Sequence, residues 1–492
     1  MNRFAKPTIA ALCLAALTLT GCSTPAATTP TSTIAATTSS PVNAGATTEA
    51  ETAAIGTGVT SFLADNTASH AEPDDAEYDA SSATAITLSD QDVTISEPGT
   101  YLVSGSMREA QLTVDSAAEG KVTLVLSGVT MTSSSGAPIM VKAADEMVIV
   151  LAEGTESSIT DTSPAQASSD PDAADAAIFS MSDLTITGTG TLQVTSANND
   201  AVASKDGLVV ASGTIGIEAG DDGLRGKDYV IVEGGTLSIE AGSDAIKATN
   251  EDDDTVGYVS ISGGLTTLDA GDDAVHAEGD LVVSGGTLTI ASSVEGLEGA
   301  NIVIAGGVTS VTSSDDGLNA TSGAAMGGPG GGPGGGEASD GSQLVITGGQ
   351  LRVNAEGDGL DSNGTATMTG GDVVVNGPTG NGNGSLDASS FTISGGRLIA
   401  AGSAGMVVTP SSASTQGWIA ISTQLTANQT LEVSDSTTAV ASFTAIKPAA
   451  SIIVSVPGMV TSQTYQVSVA GGNATSVTAG QGAASDRGPG AR

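Results

Sequence analysis

The chain has 492 residues with 55 acidic and 14 basic side chains, a formal charge of −41. That balance excludes binding driven by neutralising nucleic-acid phosphates, which needs clustered Lys and Arg, and favours cations, or substrates presented with cations, as partners. Hydrophobic residues make up 39%, too many for a wholly disordered chain, while 66 glycines and only 2% aromatics favour a turn-rich β architecture over a helical bundle.

Residues 1–21 read as a lipoprotein signal peptide. Arg3 and Lys6 precede an apolar stretch, Ile9 to Leu19, too short to span a bilayer comfortably, and Leu19-Thr20-Gly21-Cys22 closes it as a lipobox does. Cys22 would then carry lipid, and with Cys13 removed no disulfide is possible. The expectation is an exported protein anchored through lipid to the outer face of a bacterial membrane or envelope. Residues 22–84, rich in Thr, Ser and Ala without apolar periodicity, read as a flexible tether, with His70, Glu72, Asp74, Asp75 and Glu77 as solvated linker residues.

From Asp200 a repeat takes over. An acid, a small residue and an aliphatic recur at Asp200, Asp222, Asp244, Asp273, Glu295, Asp316 and Asp358, spaced 22, 22, 29, 22, 21 and 42 residues apart. Small-residue turns, among them Gly234-Gly235, Gly263-Gly264 and Gly285-Gly286, keep the same irregular order, so one unit of about 22 residues is repeated. Within a unit, short β-branched runs such as Tyr229-Val230-Ile231-Val232 and Leu237-Ser238-Ile239 predict three strands and three turns, one coil of a parallel β-helix. The fold class is therefore all-β, a solenoid over 85–410 with a loop insertion at about 321–341. Residues 411–479 would form a small C-terminal β cap covering the last coil, and 480–492 a disordered tail.

Stacking brings the acidic positions near 5 Å apart, where bare carboxylates repel by roughly 1 kcal/mol in water and several times that in a protein. Calcium, which tolerates irregular oxygen coordination, would relieve this. The candidate ligands are Asp221, Asp222, Asp244, Asp272, Asp273, Glu295, Asp315, Asp316 and Asp358, with Asp252, Asp253 and Asp254 from the inserted loop. The alternative is that Asp-Gly simply forms turns with solvated acids. Three residues on, a second column runs Arg225, Lys247, His276, Glu298, Asn319 and Asp361. Arg225, Lys247 and His276 would suit a polyanion such as a uronate polymer, or would only complement their acidic neighbours.

The motifs Gly99-Thr100-Tyr101-Leu102-Val103-Ser104-Gly105, Asp221-Asp222-Gly223-Leu224-Arg225-Gly226-Lys227-Asp228 and Asp244-Ala245-Ile246-Lys247-Ala248-Thr249-Asn250 resemble a family of secreted bacterial carbohydrate-binding β-helix proteins. The resemblance runs from about Ala85 to Gly472. It implies a pectate-lyase-like, right-handed parallel β-helix that binds calcium and attaches to cellulose and acidic polysaccharides such as polygalacturonate. A calcium-dependent polysaccharide lyase is the enzymatic alternative, with Arg225, Lys227 and Lys247 as candidate bases. A structural or adhesive surface rod is the third reading.

Overall fold

The structure, a computed structural model, describes residues 66, 70–165, 173–253, 255–322, 339–436 and 438–480. All lie in one compact unit, 55–492. The expected signal segment with Cys22, most of the expected tether, Asp254, the stretch 323–338 and residues 481–492 lie outside the described residues.

Among the described residues there are 37 strands and no α-helix, as the β-branched, glycine-punctuated sequence dictates. Thirty-three strands join one mixed sheet. Each 22-residue period supplies three short strands, for example Leu224–Gly226, Tyr229–Val232 and Thr236–Ala241, followed one period on by Ile246–Ala248, Tyr258–Ile261 and Leu265–Ala270. Counterparts pair in parallel: Leu224 with Ile246, Val230 with Val259, Leu237 with Thr266. The sequence period is thus a period of strand pairing. Both long intervals place their extra residues after the first strand of a unit, between Ile246–Ala248 and Tyr258–Ile261 and between Leu318–Ala320 and Gln343–Ile346.

Register stacks one aliphatic on the next. Val202, Leu224, Ile246, Val275, Leu297, Leu318 and Leu360 form one inward column, each at most 1% exposed and each worth roughly 1.5–3 kcal/mol of burial. The parallel series stops where Arg397–Gly402 pairs antiparallel with Ala449–Ser455, which also pairs with Ile419–Leu425. A separate four-stranded antiparallel sheet holds Ala439–Thr444, Thr430–Ser434, Thr464–Val469 and Thr475–Thr478. Its Leu431, Val433, Phe443 and Tyr465 share a core with Ile399 and Ala401 of the last repeat strand.

The end of the Thr/Ser/Ala-rich region departs from a solvated spacer. Lys121, Glu146, Asp183, Gly207, Tyr229, Tyr258 and Asp280 occupy equivalent positions at the start of the second strand in successive units. Residues before the first strand run back along this column. Asn66 Nδ2 donates to Asp280 Oδ2 at 2.7 Å, and His70 Nε2 lies 2.8 Å from Tyr258 Oη, with its ring centroid 4.4 Å from that of Tyr229. Ala71 packs on Val209, Ile231 and Tyr258. Asp75, buried, pairs with Lys121, which also holds Glu146 at 2.9 Å. Composition gives no sign of these anchors, because each is a single polar residue matched to a distant partner.

Gly207 makes room for this arrangement. A Cβ there would sit 1.9 Å from Tyr229 Cζ, so only glycine lets the ring lie flat across it and donate to Asp183 Oδ1 at 2.8 Å. Gly207→Ala is expected to cost roughly 1–3 kcal/mol through overpacking. Urea unfolding, with the tyrosine near-ultraviolet dichroism as a marker of ring displacement, measures it.

Candidate functional site

The acids of the repeat end each third-strand turn just before a first strand, and the main chain fixes their register. The carbonyl of Asp222 accepts from Ala201 N, that of Asp244 from Gly223 N and that of Asp273 from Ala245 N, at 2.9–3.0 Å. The side chains add a second set of links. Asp200 Oδ1 accepts the backbone N–H of Asp222 at 3.0 Å, Asp222 Oδ1 that of Asp244 at 3.1 Å, and Asp244 Oδ1 that of Asp273 at 2.9 Å. Asp316 and Asp358 do the same for Asp358 N and Gly384 N, both at 2.5 Å. At these five positions a short carboxylate therefore satisfies a backbone donor of the next unit, whereas the Asp273 carboxylate meets His276 Nδ1 at 3.1 Å. Glu295 stands outside these links, its carboxylate accepting from Asn319 Nδ2 at 2.9 Å.

The second column lies in register on consecutive strands: Arg225, Lys247, His276, Glu298, Asn319, Asp361 and then Asp387. Its basic members turn onto the acids. Arg225 reaches Asp175 at 2.7 Å and Asp200 at 2.5 Å, with Asp222 at 3.9 Å. Lys247 pairs with Asp244 at 2.5 Å. His276 Nδ1 lies 3.1 Å from both Asp273 and Glu298, and its Nε2 3.4 Å from Glu278. The three cations are engaged within the chain, which is the reading that they complement their acidic neighbours. Lys227 is exposed, with no ion pair among the described residues.

Three groups bring ligand atoms within 4.8 Å of one another: Asp200, Asp221 and Asp222; Asp244, Asp273 and His276; and Asp273, Glu295 and Glu298. Of the residues singled out from sequence, Asp221, Asp222, Asp244, Asp273 and Glu295 are thus drawn together. Asp272 and Asp315 are exposed beside the column, and Asp252 and Asp253 are exposed in the inserted loop, where the Asp253 carboxylate accepts from Thr255 N and Oγ1 and the backbone N–H groups of Asp252 and Asp253 both donate to Asn250 Oδ1.

Charge compensation runs out along the column. At its start Arg225 offsets the first group, yet burial, reinforced by Asp222 and Asp175, still pushes Asp200 up to about 7. At the third group His276 is the base in direct contact with Asp273 and Glu298, with the Lys247 charge acting on both from further off. Burial pulls against its charge, but Asp273 and Glu298 hold it protonated with a pKa of about 10. Burial and nearby Glu298 and Asp273 push Glu295 up to about 8. Beyond it, burial and mutual repulsion among Asp316, Asp358, Asp361 and Asp387 place Asp316 at about 6, Asp358 at about 7 and Asp361 at about 8. Asp200, Glu298, Asp361 and Asp387 are members of the site that the sequence reading did not name as ligands. Gly384-Ser385-Leu386-Asp387 repeats the small–aliphatic–acid ending of Asp358-Gly359-Leu360-Asp361, and that was the available signal.

Residues 89–332 match the family model of carbohydrate-binding domain-containing proteins. That range encloses the acids from Asp200 to Asp316 and stops short of Asp358. A carbohydrate-binding domain-containing protein of Acetivibrio thermocellus is 32% identical over 147 residues, 30% of this chain and 51% of the relative. The chain spans about half the length of the curated relative it matches. A solved structure, the polysaccharide lyase-like protein from C. thermocellum as a gadolinium derivative, is 31% identical, with 47% of this chain and 88% of that chain covered at a TM-score of 0.37.

Proposed function

We propose that this chain is a non-catalytic polysaccharide-binding rod, exported and held at the cell surface by lipid at Cys22, and that it takes acidic, uronate-containing or cellulosic glycans with calcium on its carboxylate ladder. Its repeat domain, 85–410, would be a right-handed parallel β-helix closed by the cap, 411–479. Parallel pairing of each strand with its counterpart one period on supports the helix.

One observation carries the reading: within the stretch similar to carbohydrate-binding proteins, buried carboxylates outnumber the bases that face them. Asp273, Glu295 and Glu298 lie within reach of one ion and touch one imidazolium, with the Lys247 ammonium, paired to Asp244, as the other nearby cation, and Asn319 Oδ1 beside them is buried without a hydrogen-bond partner. An all-oxygen donor set with excess negative charge suits a hard divalent cation of variable coordination number. These residues would hold calcium. The ion would supply positive charge that keeps the acids ionised and attracts a uronate carboxylate. Asp222 and Asp244 contribute differently, by holding successive units in register through their backbone bonds.

Retention of the purified chain on polygalacturonate and on cellulose, with calcium and with chelator, tests the proposal. Retention in calcium and release by chelator are expected. Passage through every matrix in calcium would sink it, and ultraviolet absorbance from unsaturated uronate products would establish the lyase instead.

A further inference from the structure

The ladder's cations are engaged by buried acids, and a second pair of cations lies at the junction of repeat and cap. Arg352, on the strand Gln350–Ala355, and Arg397, on Arg397–Gly402, converge on one carboxylate, Asp372 of the intervening strand Asp372–Asn376. Arg352 Nη2 donates to Asp372 Oδ2 at 2.9 Å and Arg397 Nη1 to Asp372 Oδ1 at 2.7 Å. Arg352 Nη1 donates to the carbonyls of Asp372 at 2.7 Å and Leu351 at 3.1 Å, and Arg397 Nη2 to that of Ser442 on the cap at 3.4 Å. The three side chains are 40%, 32% and 38% exposed.

Two full positive charges share one negative charge here, in a chain of net charge −41. Burial opposes it, but the two guanidinium groups hold the Asp372 carboxyl below its usual range, so it stays ionised and the patch stays cationic by one charge at neutral pH. The contacts engage fewer donors than two guanidinium forks carry. Gln350 and Asn354 share the outward face of the same strand as Arg352, adding amide groups. Two positions beyond Arg397, Ile399 is buried under the cap, so the patch lies at a step with the sheet as its floor and the cap as its wall.

We propose that Arg352 and Arg397, preorganised on Asp372, form a ledge that binds the carboxylate of an acidic saccharide unit. A planar fork fixed in place by a second acid matches a carboxylate in two-point geometry and loses little rotamer freedom on binding. The ledge lies outside residues 89–332, and it deepens the proposed function, resting on the reading that the chain binds uronate-containing glycans.

Titration calorimetry of the full chain with oligogalacturonate in calcium tests it. Arg352→Gln is expected to weaken binding at least about tenfold, as loss of a charge-assisted hydrogen bond does, and Arg352→Lys to recover only part. Arg352 bonds to Asp372 and backbone alone, so its unfolding temperature serves as the check on folding, and Arg397→Gln is the second variant. Methyl-esterified ligand should bind wild type and Arg352→Gln alike. If both variants, folded, bind oligogalacturonate within about twofold of wild type, the ledge is overturned while polysaccharide binding stands. If wild type binds no uronate, that part of the proposed function fails and the ledge with it.

Discussion

Acidifying the metal-free protein from about pH 8 to about pH 5 is expected to raise its unfolding temperature, the reverse of ordinary acid denaturation. Asp200, Asp273 and Asp358 at about 7, Glu295 and Asp361 at about 8 and Asp316 at about 6 all lie above the usual carboxyl range. Burial is the leading cause at each. A group whose pKa is raised by folding binds its proton more tightly in the native state, so its stabilisation is complete below the unfolded value near 4 and disappears as pH climbs through 6 to 8. Glu298 and Asp372, lowered by His276 and by two arginines, work the other way but are outnumbered. Each decade of shift is worth about 1.4 kcal/mol for an isolated group. Neighbours sharing one field give less than their sum, so a gain on the order of 5 kcal/mol is expected. Calcium added at the alkaline end should restore much of that loss and have little effect at the acid end, and thermal melts with chelator and with calcium across this range measure both. A melting temperature that stays flat or falls on acidification would show that the carboxylates are not strained in the native state.

The second large effect is expected at Arg225. Its guanidinium is the counter-charge for Asp175 and for Asp200, whose side chain is 3% exposed. Arg225→Met should cost about 3–5 kcal/mol in urea unfolding, because it strands buried charge rather than merely deleting a contact. Adding Asp200→Asn should recover most of the loss, since the amide oxygen can still accept Asp222 N–H while the unpaired charge is gone. Failure of the second substitution to rescue would place the cost of the first in lost packing.

The repeat was legible because a strand-pairing period leaves the same residue types at the same intervals, and insertions disturb both landmark series together. The Arg225-to-Asp361 column was legible for the same reason: positions three residues past each acid are stacked by the register that stacks the acids. What the columns do to each other was not. Spacing places Arg225, Lys247 and His276 near acids but says nothing about which way they turn, and the structure turns them inward onto Asp200, Asp244 and Asp273. Nor does spacing reveal that an aspartate's oxygen meets the next unit's N–H, or that Asp252 and Asp253 bond within their own loop. Arg352, Asp372 and Arg397 lie 20 and 25 residues apart, close to the period, yet their residue types differ, so no repeat flags them.

Stacked units ordinarily touch only their neighbours, so such an array is free to open piecemeal from any weak point. The segment anchored at Asn66, His70 and Asp75 breaks that independence. By bonding to Asp280, Tyr258 and Lys121 it ties together units separated by several others. Opening of a unit between Lys121 and Asp280 is therefore expected to strain a contact made at another unit of the pairing series. The lashing turns a chain of nearest-neighbour couplings into one block, expected to unfold over that stretch in a single cooperative step.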